Sequence, residues 1–359
     1  MGEVLGVGFT HYPPFMGGKP ETYAGLLKGI LRSPNVPEEA KDPKNWPAGM
    51  QDEWEHEVER AYDHQERHRQ GFKKVRAAID SFKPDAVFMF GDDQYENFKE
   101  TIIPPFNIFC APQFPSRPFR SEQNLWGVDP EETISYAGAA DLAKEVANGF
   151  AERHYPIPYS YTPQTLHFER GLSHAFVNGL TYLDWDHDNP WTYPTIPVAV
   201  NCYGQYVISN RGGSANIQDT RTDAEKDPLM DYPGPHGPSP KACFTVGEIL
   251  MDILQERPGR YAIMASSGWS HAFLTTKHNW LYPDREFDRA RFEELKNGEQ
   301  RNWANLTSDE IDDAGDGEFK NWICLAGAMK DRTPKIIDYI ETWIFNSEKC
   351  FAVFEPNGH

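Results

Sequence analysis

The sequence predicts an α/β protein in which helices cover both faces of a central, mostly parallel sheet. Short apolar segments alternate with amphipathic ones, and most of the apolar segments run into loops that carry ionisable side chains. Short, nearly continuous apolar strands are typical of sheets that are buried on both faces. In α/β folds the functional groups collect beyond the carboxyl ends of the strands.

Four segments have the composition of buried strands: residues 4–9, 85–90, 196–200 and 261–265. Three of the four end in a loop that carries His or Asp. His11 follows the first strand, Asp92 and Asp93 follow the second, and His271 follows the fourth. We therefore expect these side chains to meet at one edge of the sheet.

Four segments are predicted helices: residues 52–81, 131–153, 244–255 and 318–329. The first ends before Lys83-Pro84, and proline does not continue a helix. The second begins behind Asp129-Pro130, a suitable cap. Within the first, the polar segment around His64 and His68 predicts a solvated helix face rather than a zinc site.

We expect a single catalytic domain over residues 1–359, because no linker divides the chain. Residues 209–241 are rich in Gly, Pro, Asp and Ser, which predicts a long loop or lid. The apolar runs are far shorter than a membrane span, and the N-terminus lacks a signal pattern, so we expect a cytoplasmic protein with no membrane partner.

The formal net charge of −19 would repel a phosphate backbone, which disfavours nucleic acid as a partner. The five cysteines are odd in number and scattered, without a Cys-x-x-Cys pair. This pattern argues against a disulfide framework and a structural zinc site, and indicates reduced thiols.

Two strand ends carry groups suited to metal chemistry. His11 precedes Tyr12-Pro13-Pro14, which stiffens the loop, so its imidazole could hold a metal; a half-exposed loop histidine is the alternative. Residues 91–97 contain three carboxylates and two amides, and such crowding indicates a bound cation or polar ligand. The alternative is an acidic turn that caps a helix.

His271 ends a segment of small residues that lets the backbone approach a ligand, and its imidazole could transfer protons. The alternative is a histidine that only hydrogen-bonds within its loop. The same segment is weakly similar to a nucleophile elbow, with Ser270 as the nucleophile of a serine hydrolase, although Ala272 replaces the second glycine. Glu318 opens a predicted helix, a position that the helix dipole favours for any acid.

Together these segments resemble the type III (LigB-like) extradiol ring-cleavage dioxygenase family, typified by the protocatechuate 4,5-dioxygenase beta chain. The matching motifs occur in family order over most of the chain. They are His11 after the first strand, Pro84-Asp85 onward to Ile102-Ile103-Pro104, Pro197-Val198-Ala199-Val200-Asn201, Gly268-Trp269-Ser270-His271, Glu286-Phe287-Asp288, and Glu318 with Trp322.

The resemblance implies a non-haem Fe(II) enzyme, with Mn(II) or another divalent metal as the alternative, that cleaves a small catechol-like ring with O2. It implies that His11 and Glu318 bind the metal and that His271 is the catalytic acid and base. Expected further site residues are His174 as a catalytic residue and Tyr12, Arg170 and Trp269 as substrate contacts. A homo-oligomer is left open.

The sequence departs from the family where a second histidine ligand is expected, because Gln94 stands at that position. A neutral amide is a poor substitute for imidazole on iron. Asp93 could supply a carboxylate, Gln94 its carbonyl oxygen, or His174 an imidazole from elsewhere. A family Asp-His-Gly likewise corresponds to Glu169-Arg170-Gly171. These changes keep two other functions open: a metal-dependent hydrolase, decarboxylase or lyase on the same scaffold, and a metal-free binding paralogue.

Overall fold

The computed structural model describes residues 2–99, 101–119, 122–163, 171–204, 217, 221–226 and 235–356. Its strands are β1 Glu3–Phe9, β2 Ala86–Asp92, β3 Phe106–Phe109, β4 Gln113–Ser116, β5 Ile134–Ala137, β6 Tyr159–Ser160, β7 Thr195–Val200, β8 Arg260–Ser266, β9 Lys335–Ile340 and β10 Lys349–Phe354. Its helices are α1 Pro14–Gly17, α2 Gly25–Ile30, α3 Glu38–Lys41, α4 Ala48–Glu55, α5 Glu57–Phe82, α6 Ala140–Glu152, α7 His174–Tyr182, α8 Pro240–Gln255, α9 Arg285–Lys296, α10 Ser308–Asp313 and α11 Phe319–Ala328.

The large sheet has the strand order β6-β3-β7-β2-β8-β1-β10-β9, and β4 pairs with β5 apart from it. Strands β7, β2, β8 and β1 are mutually parallel and form its centre. Strands β10 and β9 extend one edge in antiparallel fashion, and β3 runs antiparallel to β7 near the other edge. The predicted α/β class is confirmed, and the four predicted strands are the parallel centre of the sheet.

Alternate side chains of the central strands enter two separate hydrophobic cores, as the period-two geometry of a strand requires. On β2, Phe88 and Phe90 belong to the core beneath α8 and α11, whereas Val87 and Met89 belong to the core beneath α5 and α7. Helices therefore cover both faces of the sheet, which explains why the strands are apolar throughout.

Helices α8 and α11 pack closely enough that glycine is required at their contact. A Cβ on Gly247 would collide with the carbonyl oxygen of Cys324, and one on Gly327 with that of Phe244. This close packing holds the start of α11, and with it Glu318, against the ends of the central strands.

Two predicted helices differ from the observed ones. The prediction over 52–81 is interrupted at His56, which separates α4 from α5. The prediction over 131–153 was wrong at its start, because residues 134–137 form β5 and pair with β4 before α6 begins at Ala140. Predictions 244–255 and 318–329 correspond to α8 and α11.

The solvated face predicted around His64 and His68 was wrong. Their side chains are only 3% and 0% exposed. His68 donates from Nε2 to the carbonyl of Thr10 at 2.8 Å, and His64 packs against Phe345. The two histidines share one face of α5 with its apolar core residues, so helical spacing, rather than local polarity, decides their burial.

The predicted lid at 209–241 lies largely outside the described residues. Within that interval the structure describes only residues 217, 221–226 and 235–241. No helix among the described parts of the chain has the length and apolar character needed to cross a membrane.

Candidate metal centre

Four buried side chains that can bind a metal converge at the carboxyl edge of the central strands. They are His11 just beyond β1, Asp92 at the end of β2, His174 at the start of α7 and Glu318 at the start of α11. One potential ligand atom from each lies within 4.8 Å of the other three. We refer to these four residues as the central cluster.

The ring of His11 is oriented by a serine on the neighbouring strand. The Ser266 hydroxyl donates to the Ala175 carbonyl at 2.7 Å, so Ser266 Oγ accepts from Nδ1 of His11 at 3.2 Å. This leaves Nε2 of His11 as the acceptor, 3.9 Å from Oε2 of Glu318. Burial, followed by the nearby His174, holds the pKa of His11 well below its usual value, which favours the neutral form that metals bind.

His174 is held by the carboxylate of Glu96. Oε2 of Glu96 accepts from Nδ1 of His174 at 2.9 Å, and Nε2 of His174 lies 3.9 Å from Oδ2 of Asp92. Burial by itself would lower the pKa of His174, but the carboxylates of Glu96 and Asp92 outweigh it and raise that pKa to about 10. The rings of His174 and His11 meet edge to face, with centroids 4.9 Å apart.

The two carboxylates of the central cluster are almost completely enclosed. Oε2 of Glu318 accepts from the Gly268 amide at 3.0 Å, and Oε1 accepts from the Tyr203 hydroxyl at 3.1 Å. Oδ1 of Asp92 is buried and has no hydrogen-bond partner among the described residues. Burial, followed by the charge of Glu318, raises the pKa of Asp92 to about 7.

Gln94 and Asp93, the predicted second ligands, have different roles in the structure. The Gln94 amide donates from Nε2 to Asp92 Oδ2 at 2.9 Å and to Glu318 Oε1 at 2.8 Å, so it touches the central cluster as a donor. The Asp93 carboxylate accepts the backbone N–H groups of Glu96, Asn97 and Phe98 and closes its own loop. The carboxylate that enters the cluster is that of Asp92.

His271, the predicted acid and base, lies beside the central cluster. Its Nε2 is 3.5 Å from Oε1 of Glu318. Its backbone N–H donates to the Gly315 carbonyl at 2.9 Å, and the residue forms an isolated β-bridge with Ser347. Burial lowers the pKa of His271 to about 4, so the imidazole is neutral at pH 7 and can accept a proton.

Two of the three predicted substrate contacts, Tyr12 and Trp269, are buried in the hydrophobic cores. Tyr12 is 1% exposed, and its ring contacts Phe15 and Tyr23 in the core beside α5. Trp269 is 0% exposed and its ring packs on Phe319 in the opposite core. Both have the environment of core residues rather than of a pocket wall. Arg170 lies outside the described residues.

Ser270 has the contacts of a structural serine. Its hydroxyl donates to the Ala314 carbonyl at 2.5 Å and accepts from the Asp284 backbone N–H at 2.7 Å. Both contacts join its loop to neighbouring segments. Nothing in this arrangement favours the serine hydrolase interpretation.

The central cluster fits a divalent metal. It offers the neutral imidazole of His11 and carboxylate oxygens, which suit iron and manganese, and a bound cation would release the proton that Glu96 and Asp92 hold on His174. Two carboxylates buried within a few ångströms of each other are costly unless a cation or donors offset their charge. Oδ1 of Asp92 is a buried acceptor with no hydrogen-bond donor among the described residues, as expected of an oxygen that binds a metal.

Residues 234–353 match the family model described as the catalytic LigB subunit of aromatic ring-opening dioxygenase. The matched segment includes His271 and Glu318. This C-terminal segment of the chain is therefore similar to the LigB family.

Two curated proteins are similar to this chain. A 2,3-dihydroxyphenylpropionate/2,3-dihydroxicinnamic acid 1,2-dioxygenase 2 of Pseudomonas putida is 27% identical over 133 residues, or 36% of this chain and 35% of that protein. A 2,3-dihydroxyphenylpropionate/2,3-dihydroxicinnamic acid 1,2-dioxygenase of Comamonas testosteroni is 24% identical over 199 residues, or 55% of this chain and 46% of that protein. The chain thus spans less than half the length of these relatives.

Among solved structures, an uncharacterized protein JW3007 from Escherichia coli K12 superposes with a TM-score of 0.46 at 12% identity. The superposition covers 80% of this chain and 91% of that chain.

Sequence reasoning placed Asp92 and Glu96 in an acidic segment suited to a cation, but it preferred Asp93 and Gln94 as the ligands. The alternation of side chains between the two faces of β2 could have identified Asp92, because residues two apart on a strand share a face. Phe90 faces the core of α11, so Asp92 points to the same side, where Glu318 lies. For Glu96 no sequence signal exists, because its partner His174 is 78 residues away.

Proposed function

We propose that this protein is an extradiol-type dioxygenase that opens a small catechol-like ring with O2, using a divalent metal, Fe(II) in the first instance. The observation that carries the proposal is the convergence of His11, Asp92, His174 and Glu318, with the neutral imidazole of His271 beside them. Mn(II) is the alternative metal, since carboxylate ligands suit it equally.

When bound, the metal would act as a Lewis acid toward a diol and supply one-electron redox chemistry for O2. The protein's own groups prepare the site for this. His11 and His174 present their Nε2 atoms because Ser266 and Glu96 occupy the Nδ1 atoms. The hydroxyl of Tyr203 and the amide of Gly268 hold the carboxylate of Glu318 in place.

His271 would remove a proton from a substrate hydroxyl and return one later. Its imidazole is neutral at pH 7 because burial lowers its pKa to about 4. The neighbouring carboxylate of Glu318, 3.5 Å from Nε2, would stabilise the imidazolium that forms. The reactants would be a small aromatic diol and O2, and we propose a cytoplasmic location for the reaction.

The test combines metal analysis with oxygen consumption. The full-length protein would be loaded with Fe(II) anaerobically and mixed with a panel of catechols, some of which carry a carboxylate side chain. We expect one metal per chain, oxygen uptake and a coloured ring-opened product. Full metal occupancy without oxygen uptake on any catechol would contradict the dioxygenase proposal.

The second carboxylate favours one alternative function. Asp92 makes the central cluster more anionic than a site of two imidazoles and one carboxylate, and such a set suits redox-inactive Lewis-acid chemistry. A metal-dependent hydrolase, decarboxylase or lyase is therefore the second candidate. Such an enzyme would turn over carboxylated aromatic substrates under strictly anaerobic conditions, whereas a dioxygenase would show no activity there because it needs O2.

A further inference from the structure

The loop that follows β2 makes an unusual connection to α7. Glu96 lies in this loop, is 7% exposed, and directs both carboxylate oxygens at His174. Oε1 accepts from the backbone N–H of His174 at 2.9 Å, and Oε2 accepts from Nδ1 of the same residue, also at 2.9 Å. One glutamate thus fixes both the backbone and the ring of a single histidine.

Two further contacts hold this arrangement in place. The Asp93 carboxylate accepts the backbone N–H groups of Glu96 and Asn97, which winds the loop so that the Glu96 side chain points inward. The Ser173 hydroxyl donates to the Asp92 carbonyl at 2.8 Å and ties the start of α7 to the end of β2. The position of His174 relative to Asp92 is therefore set by Glu96, which Asp93 orients, and by Ser173.

The direction of these hydrogen bonds determines which nitrogen of His174 is free. A glutamate oxygen is only an acceptor, so Nδ1 must carry the proton and donate it. Nε2 is then the nitrogen that carries the lone pair when His174 is neutral, and it is Nε2 that lies 3.9 Å from Asp92 Oδ2 within the central cluster. Histidine ligands are commonly oriented in this way by a carboxylate bonded to the second ring nitrogen.

We propose that Glu96 is the positioning residue that makes His174 the second imidazole ligand, in compensation for Gln94 at the position where the resemblance expects a histidine. The inference rests on the proposed function, because it requires a metal in the central cluster. In this chain the second imidazole would come from α7 instead of the loop after β2. The loop after β2 would instead supply Glu96, the carboxylate that orients this imidazole.

Glu96→Gln is the sharpest single test. Among the described residues, the oxygens of Glu96 accept three N–H groups, two from His174 and one from the Gln94 backbone. A glutamine must turn its NH2 group toward one of these donors or donate to Nδ1, and the latter forces the proton onto Nε2. Either outcome impairs His174 as a ligand while the side chain keeps its size. Glu55→Gln, on an exposed position of α4, is the matched control.

The readout would be Co(II) binding to the metal-free full-length protein, followed by visible absorption, with thermal stability measured in parallel. We expect wild type and Glu55→Gln to bind one Co(II) with the same spectrum. We expect Glu96→Gln to bind about 10–100-fold more weakly, the usual effect of removing a partner that orients a ligand, and to change the absorption band. His174→Ala should reproduce the altered band.

A second variant separates ligand positioning from loop integrity. In Gln94→His/Glu96→Gln, the new imidazole would no longer depend on Glu96, so Co(II) affinity should recover relative to Glu96→Gln. Equal losses of affinity and thermal stability in the single and double variants would overturn the inference, because Glu96 would then only hold the loop together. Unchanged affinity and spectrum in Glu96→Gln, with a loss in His174→Ala, would also overturn it but leave the proposed metal site intact. Absence of Co(II) binding by wild type would contradict the proposed function itself.

Discussion

Nε2 of Gln94 lies 2.8 Å from Oε1 of Glu318 and donates a hydrogen bond to it. The same amide donates to Asp92, so one neutral side chain bridges the two carboxylates of the central cluster. Amide donors partly offset the repulsion between the carboxylates, which is the task that a cation would perform. The residue that replaces the expected histidine is therefore next to the proposed ligands.

Gln94→His should raise Fe(II) affinity. An imidazole at this point would add a nitrogen donor beside Asp92 and Glu318, and iron prefers imidazole to an amide. We expect a gain of about 10-fold, with faster oxygen uptake on simple catechols, measured by anaerobic Fe(II) titration and an oxygen electrode. Gln94→Ala, which supplies no donor, is the control. Equal Fe(II) affinity in wild type and Gln94→His would show that residue 94 does not reach the metal.

His11→Ala and Glu318→Ala should each remove the metal and leave the fold largely intact. Both side chains are buried at strand or helix ends, and each would supply one donor to the metal. We expect metal affinity to fall at least about 100-fold, more than the loss of an orienting partner produces. Metal stoichiometry and far-ultraviolet circular dichroism are the measurements, and the exposed Glu55→Ala is the control. Full stoichiometry in both variants would refute the ligand assignment.

Asp92 and Asp93 should differ sharply when substituted. Asp92→Asn should weaken metal binding with little change in stability, because Oδ1 of Asp92 has no hydrogen-bond partner among the described residues. Asp93→Ala should instead lower the unfolding free energy by about 1–3 kcal/mol, because it leaves the loop N–H groups unpaired. Metal titration and urea denaturation of both variants separate the two effects. The reverse pattern would mean that Asp93 is the ligand.

His271→Ala should slow turnover while the metal stays bound. A positioned acid and base contributes about 10²–10⁴-fold to the rate, so kcat should fall within that range. The measurement is oxygen uptake by protein of verified metal content. A loss of metal in parallel with activity would instead assign His271 to the metal.

Glu348 should make stability depend on pH. Burial raises its pKa from 4.5 to about 7, although Tyr339 and Arg285 act against the rise. Its folded-state pKa lies above the unfolded value, so between these values the folded protein holds a proton that the unfolded chain has released. The contribution of Glu348 to the unfolding free energy is therefore fully present below about pH 4.5 and is lost as the pH rises from there through about 7. The loss is about 1.4 kcal/mol for each unit of pKa difference.

Glu348→Gln removes this titration. The unfolding free energy of Glu348→Gln relative to wild type should therefore increase from pH 5 to pH 8, measured by denaturation at each pH. A difference that stays constant over this range would exclude Glu348 as the titrating group.

The sequence by itself determined the parallel centre of the fold. Strands β1, β2, β7 and β8 were predicted because they are buried on both faces, and their apolar composition reports that burial directly. The sequence also indicated His11 and His271, because each follows a predicted strand, whereas Glu318 was indicated by the family resemblance. Strands β3, β4, β6, β9 and β10 were not predicted, and neither was β5, where the capping pattern near Asp129 competed with pairing to β4.

Only the tertiary structure decided the second half of the site. Asp92 rather than Asp93 enters the central cluster because β2 continues to residue 92 and alternation then directs its side chain toward α11. His174 joins the cluster because Glu96 and Ser173 tie the start of α7 to the loop after β2. These contacts link residues about 80 positions apart, and no local pattern of charge or hydrophobicity encodes them. They follow from which elements the folded sheet places side by side.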